Sequence, residues 1–404
     1  MSNSVRATTN TGLPPATPNV RTNPAEADSA RETVMFRIRS FTFAAAAALV
    51  AGVTTAVCCG EALQLVAAKP LPVQSAIAAA PADASAQPLS ALSEAEPWLT
   101  AVPGGVAALR GKVVVVNFWT YSCINSLRAL PALRAWDQRY RDKGLVVIGV
   151  HAPEFAFEKD PAKVRTALRD LGVRYPNVQD NHYATWQRFG NEGWPGFYFI
   201  DPKGAIRGYR LGEGHYDEAE RLIRTLLTEA GQDVSGIRPA PPVGTGIQAE
   251  ADWKNLRSPE SYLGYAKAGD FQSPDGLRRD VAHRYQPAAS LSPNHWDLAG
   301  VWAIGREFAT LGGTTGAIRY RFHARDLHLV LGGAADGQPV RFRVLIDGAP
   351  PGASHGADVD AAGWGEVRQD RLYQLVRQAG VIADRTVTVA FTRPGVRAYV
   401  FTFG

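Results

Sequence analysis

The run VVVVNFW, Val113 to Trp119, leads through three residues to Cys123 and then into apolar residues at helical spacing, and this junction constrains the fold more than any other feature. A near-continuous β-branched run bounded by Gly111-Lys112 marks a strand buried on both faces. Ile124, Leu127, Leu130, Leu133 and Trp136 then share one helical face, with Pro131 as a kink and Gly144 as the stop. LVVIGV (145–150) reads as a second buried strand, and Asp160-Pro161 opens a helix carrying Val164, Ala167, Leu168 and Leu171. FYFID (197–201) and IRGYRLG (206–212) read as a hairpin-like pair, and Ala219 to Ala230 as a final amphipathic helix. Alternating strands and helices predict an α/β domain over 98–231.

The pattern then changes. Residues 232–258, centred on IRPAPPVGTG, read as a linker. From 259 to 404, GAIRYRFHA, LHLVLGG, VRFRVLIDG, RTVTVAFT and VRAYVFTFG are short and punctuated by glycine, which predicts an all-β antiparallel sandwich of the jelly-roll kind. In VRFRVLIDG, Val340, Phe342, Val344 and Ile346 are expected inside, Arg341 and Arg343 outside.

Residues 1–34 lack an apolar pattern and read as a disordered tail. Arg37 and Arg39 precede the apolar run Phe41 to Gly60, so 35–68 reads as an export signal, with Met35 a candidate start, or as an anchor holding 41–60 in the inner membrane. Lipidation at Cys58 or Cys59 is a third option, although Thr55, Ala56 and Val57 make a poor lipobox. The Ala/Pro-rich stretch 69–97 reads as a spacer. The folded part is therefore expected to be periplasmic, touching membrane only through its N-terminal segment. With 43 Lys and Arg against 38 Asp and Glu, dispersed along the chain, no nucleic-acid partner is expected.

Of the three cysteines, only Cys123 lies in the folded part, so no intramolecular disulfide is expected there. A cysteine at a helix start gains from the helix dipole and free N–H groups, which favour the thiolate that performs disulfide exchange. A drop of about two pKa units corresponds to about 2.7 kcal/mol. The alternative is a small hydrophobe in a core.

The strand ending Phe118-Trp119, Cys123 at the helix start, Pro131, and Trp194-Pro195 before FYFID resemble thioredoxin-like proteins. WTYSCINSLRALPALRAW, GVHAPEFAFEKD, VRYPNVQDN and NEGWPGFYFIDPKG narrow this to the exported C-terminal region of DipZ-type proteins, and SPESYLGYAKAG, HGADVD, RLYQLVRQ and AYVFTFG extend it. The resemblance implies that Cys123 attacks, that Pro195 is the cis-proline, that Trp194 edges the substrate groove, and that the sandwich is similar to carbohydrate-binding modules.

Two positions depart from the pattern: Ser126 stands where the family has its resolving cysteine, and Asn117 where thioredoxins keep a buried acid. A second thiol held nearby gives an intramolecular advantage in release. With Ser126, Cys123 can attack but not resolve, and net dithiol redox by this chain alone is excluded by stoichiometry. Partners are expected to be exported proteins bearing thiols or disulfides, with the substrate's own thiol or a glutathione-like small thiol completing the cycle. A non-enzymatic extracytoplasmic protein that binds a glycan or a protein on a redox-inactive thioredoxin scaffold is the competing reading.

Trp119 and Tyr121 are expected to flank the thiol, with Glu154 as a proton acceptor or a solvated loop acid. A peroxidatic P-x-x-x-T-x-x-C pattern fits Thr120, but Val116 stands where proline is required. Trp296, Trp302, Trp364 and Tyr399 are glycan-stacking candidates or core residues, with Arg341, Asp358 and Asp360 as hydrogen-bonding partners. Two carboxylates fall short of the about six to eight oxygens calcium takes, so no metal is expected, and no cofactor.

Overall fold

Every residue of Val113–Trp119 is buried, and the strand's two faces serve two different cores. The computed structural model describes residues 77–78, 88–93, 98–239 and 243–404; the expected N-terminal tail, leader and anchor lie outside them. The α/β part runs α1 (Pro88–Ala91), β1 (Trp98–Thr100), β2 (Val113–Trp119), α2 (Ile124–Tyr140), β3 (Leu145–His151), α3 (Pro161–Asp170), β4 (Asn177–Gln179), α4 (Ala184–Phe189), β5 (Gly196–Ile200), β6 (Ile206–Leu211) and α5 (Tyr216–Glu229). Its six strands lie in the order β1-β4-β3-β2-β5-β6. β2 runs parallel to β3 and antiparallel to β5, which forms a hairpin with β6.

Val113, Val115 and Trp119 pack with the apolar stripes of α2 and α5, while Val114, Val116 and Phe118 pack with Phe189 of α4 and with Ala91 and Leu92. Residues of the stretch read as a spacer thus join this second core. Gly144 takes a left-handed φ of 88° after α2, and the Asp160 side chain caps α3 by accepting from Ala162 N at 2.8 Å. Sequence periodicity did not reveal β1, β4 or α4, which are too short to carry a clear period.

The all-β part comprises β7 (Ser261–Tyr262), β8 (Ala282–Tyr285), β9 (Trp296–Ile304), β10 (Ala309–Phe322), β11 (Asp326–Gly332), β12 (Val340–Ile346), β13 (Trp364–Val367), β14 (Arg371–Arg377), β15 (Arg385–Phe391) and β16 (Arg397–Phe403). All ten strands belong to one sheet, a half-barrel whose two layers are joined along β10. Ala309 and Thr310 of β10 pair with β16, whereas Gly316 to Phe322 pair with β15. Val340, Phe342 and Val344 face the shared core and Arg341 faces solvent, as alternation predicts, while Arg343 and Ile346 are half-buried.

β11 and β16 are buried on both faces, apart from half-buried Arg397. Val330, Leu372, Tyr399 and Val400 point away from the half-barrel's core and join that of α2 and α5. Tyr399 lies 4.9 Å from the ring of Phe155 and 5.0 Å from that of Phe157. The described residues belong to one compact unit. Among them, no helix is long and apolar enough to cross a membrane.

Candidate active site

β2 delivers the chain to a turn, Thr120 to Ser122, and Cys123 then serves as the N-cap residue of α2 with extended backbone angles. Cys123 N donates to Thr120 O at 3.4 Å, and Leu127 N donates to Cys123 O at 3.0 Å, which begins the helix. Ser126 is buried one turn along, its Oγ accepting from Thr120 N at 3.4 Å. Cys123 is 8% exposed. Burial pushes its thiol up, and the nearby Glu260 and Glu154 carboxylates push the same way, against smaller opposing hydrogen bonds from Ser126. The helix start therefore does not deliver the expected thiolate: desolvation wins, and the thiol is held protonated at neutral pH.

The Trp194–Pro195 peptide bond is cis. Pro195 O accepts from Gly212 N at 2.8 Å, and Trp194 Nε1 donates to Ala152 O at 3.0 Å. Asn117 is fully buried and its Nδ2 donates to Gly196 O at 3.1 Å, so β2 is tied directly to the residue after Pro195. Trp119 reaches across the sheet, donating from Nε1 to Asn177 Oδ1 at 3.0 Å. Tyr121 stacks on His151 with centroids 5.6 Å apart. Burial pushes the His151 imidazole down to about 3, so it is neutral.

Glu154 faces the all-β part. Its Oε1 accepts from Tyr262 Oη at 2.5 Å and from Lys267 Nζ at 3.0 Å. The carboxylate that organises the loop before Cys123 is Glu158, which sequence reasoning missed although it closes the same HAPEFAFE stretch. Glu158 is fully buried; its Oε1 accepts from Thr120 Oγ1, from Ser122 Oγ at 2.6 Å and from Ser122 N at 3.3 Å. Its Oε2 accepts from Glu154 N at 2.6 Å and Phe155 N at 3.0 Å. Desolvation outweighs these bonds and pushes the Glu158 carboxyl up to about 7. The available signal was a Glu four residues beyond an expected loop acid, placed to cap the short helical turn at Ala156–Lys159.

The glycan-stacking reading is corrected at three positions. Trp296 and Trp302 are 0% exposed and Tyr399 is 1% exposed, so none presents a ring to a sugar. Trp296 donates to Gly269 O at 2.8 Å and Trp302 to Ala299 O at 3.0 Å, which explains how indoles sit in a core. Trp364 is half-buried, but the Arg341 and Arg343 guanidinium carbons lie 4.5 and 5.5 Å from its ring centroid. Asp358 pairs with Arg371 at 2.6 Å, and Asp360 accepts from Trp364 N at 2.8 Å. Among the described residues, no group of three or more His, Cys, Asp or Glu is placed to hold a metal ion.

Residues 105–209 match the AhpC/TSA family, and residues 258–404 match the family described as the thioredoxin like C-terminal domain. The chain is 39% identical over 257 residues to Protein DipZ of Mycobacterium tuberculosis, an alignment covering 63% of this chain and 35% of that protein. It is 26% identical over 143 residues to thiol-disulfide oxidoreductase YkuV of Bacillus subtilis, covering 35% of this chain and 96% of YkuV. Among solved structures, a thiol-disulfide isomerase from Corynebacterium glutamicum aligns with a TM-score of 0.31 and 22% identity, over 33% of this chain and 92% of that one. The chain thus spans about a third of the length of the DipZ relatives it matches.

Proposed function

We propose, from the premise that the chain is a thioredoxin-like homologue of DipZ and of thiol-disulfide oxidoreductases, that it forms mixed disulfides through Cys123 with exported proteins bearing thiols or disulfides. The observation that carries this reading is Cys123 at the mouth of α2, with a serine hydroxyl at the resolving position bonded back to the loop. The Cys123 thiolate attacks a substrate disulfide R–S–S–R′, giving Cys123–S–S–R and R′–S⁻. A second thiol R″–SH, the substrate's own or a glutathione-like small thiol, then attacks the R sulfur, loses its proton to solvent, and returns Cys123 as thiolate. Ser126 supplies no such sulfur, so release depends on that outside thiol. The N-terminal basic and apolar segment supports an extracytoplasmic site of action, which a fusion of residues 1–97 to a periplasm-dependent reporter would test by its activity.

Ellman's reagent tests the thiol reading directly. In a full chain with Cys58 and Cys59 replaced by Ser, one equivalent of thionitrobenzoate is expected, none after the further change Cys123→Ala, and added glutathione a second equivalent from the mixed disulfide. Because burial holds the thiol protonated, the rate is expected to rise about tenfold per pH unit between pH 7 and 9. Ser126→Cys is expected to release the second equivalent without glutathione. Reaction of Cys123 only after denaturation would sink the proposal.

A further inference from the structure

A cavity of about 770 Å³ lies between α3 and two turns of the all-β part, apart from the chemistry proposed for Cys123. Small-molecule sites occupy about 300 to 1,000 Å³ and favour junctions of this kind. Ala162, Thr166 and Ala167 of α3 form one wall and the turn Gly333 to Ala335 lines another, so short side chains leave a slot with apolar sides. Tyr121 and Leu127, which flank Cys123 in sequence, also line it.

Cations outnumber acids among the lining residues, although each cation has an acid partner. Lys163, Arg368, Arg371 and Arg397 line the cavity, against Asp170 and Asp370. Lys163 and Arg397 share Asp370 at 2.5 and 2.8 Å. Arg371 and Arg368 instead pair with Asp358 and Glu366, at 2.6 and 2.5 Å, and neither acid lines the cavity. Arg368 is 66% exposed and can turn its remaining N–H groups toward a ligand.

Tyr121 supplies an independent observation. The residue is 6% exposed, and its hydroxyl is buried with no hydrogen-bond partner among the described residues. Burial and the nearby Glu158 and Asp370 carboxylates push its ionisation up, so the hydroxyl keeps its proton and is available as a donor. A buried donor without an acceptor is costly, and an oxygen of a bound ligand would satisfy it once the Tyr121 ring shifts, because the hydroxyl itself is closed to solvent in this structure.

We propose that this cavity binds a small organic anion with a flat or aliphatic apolar body, its body in the slot between α3 and the Gly333 turn and its acidic group toward Arg368 and Arg371. The Tyr121 hydroxyl donates to an oxygen of the ligand. The site uses none of the Cys123 chemistry and stands or falls separately from it.

The probe is 8-anilinonaphthalene-1-sulfonate, with neutral N-phenyl-1-naphthylamine as its comparison, on the full chain. One sulfonate is expected per chain, bound at least tenfold more tightly than the neutral amine. Ala167→Trp, which fills the slot, and Arg368→Glu, which reverses an exposed rim charge, are each expected to weaken it at least tenfold, and Tyr121→Phe several-fold. Val281→Ser, at an exposed apolar residue outside the cavity, and Cys123→Ala are expected to leave the affinity unchanged. Urea midpoints establish that each variant is folded, and Arg368→Glu carries the test should Ala167→Trp unfold. Equal affinity for the two probes, more than one site per chain, or undiminished binding by folded Arg368→Glu would overturn the proposal.

Discussion

Five donors converge on the Glu158 carboxylate, from Thr120, Ser122, Glu154 and Phe155, and together they hold the loop that ends at Cys123. Burial nevertheless lifts its proton affinity from an ordinary value of 4.5 to about 7. The folded chain therefore binds this proton more tightly than the unfolded chain does. Its stabilising contribution is complete below about pH 4.5 and is lost as pH rises to about 7, a change of about 3 kcal/mol. Glu158→Gln removes the titration and sets an amide NH₂ against donors, at a cost of about 1 to 3 kcal/mol at pH 5. Urea midpoints from pH 4.5 to 8 are expected to show the wild type losing its advantage over the variant as pH rises. A wild-type-minus-variant difference that is flat across that window would remove Glu158 as the titrating group.

Gly149, in the middle of β3, is required by what its neighbours do above it. A Cβ there would lie 2.0 Å from Asn177 Oδ1 and 3.0 Å from Trp119 Nε1, the two ends of a hydrogen bond that bridges from β2 to β4 over β3. Gly149→Ala must displace Asn177, which also donates to Tyr175 O at 2.8 Å. Breaking the bridge and overpacking the site is expected to cost about 2 to 4 kcal/mol, read as a lowered urea midpoint with an unchanged m-value and altered Trp119 fluorescence. A loss below about 0.5 kcal/mol would mean the bridge contributes nothing. The sequence made β2, β3, α2, α3 and α5 legible because each carries a long apolar period or a cap. It hid the glycine's role, since Asn177 and Trp119 are 58 residues apart and their bond is invisible to local spacing. The same limit applies at the site. Cys123 at a helix start was readable from local pattern and the cis Trp194-Pro195 bond from the family resemblance, whereas the thiol's burial and the Glu158 cradle depend on packing among separate segments.

At the scale of the whole molecule, alternation correctly indicated an antiparallel β part but gave no sign that a second layer of protein covers it. LHLVLGG looked like one more sandwich strand, yet all of β11 is buried because its outer face meets the α/β part. The segment read as a linker also packs there, with Arg134 Nη2 donating to Gln248 Oε1 at 2.7 Å. Shared burial of this extent favours cooperative unfolding across the junction over two independent transitions. Tyr399 sits at the centre of the contact, meeting Phe155, Phe157 and Phe308 at 4.9 to 5.0 Å. Tyr399→Ala removes a buried aromatic and is expected to cost about 3 to 5 kcal/mol. If the parts unfold together, native-state hydrogen exchange will show that loss equally in α2 peptides around Leu130 and in β11 peptides around Leu329. Protection lost in β11 but retained in α2 would instead show two folding units that touch without sharing stability.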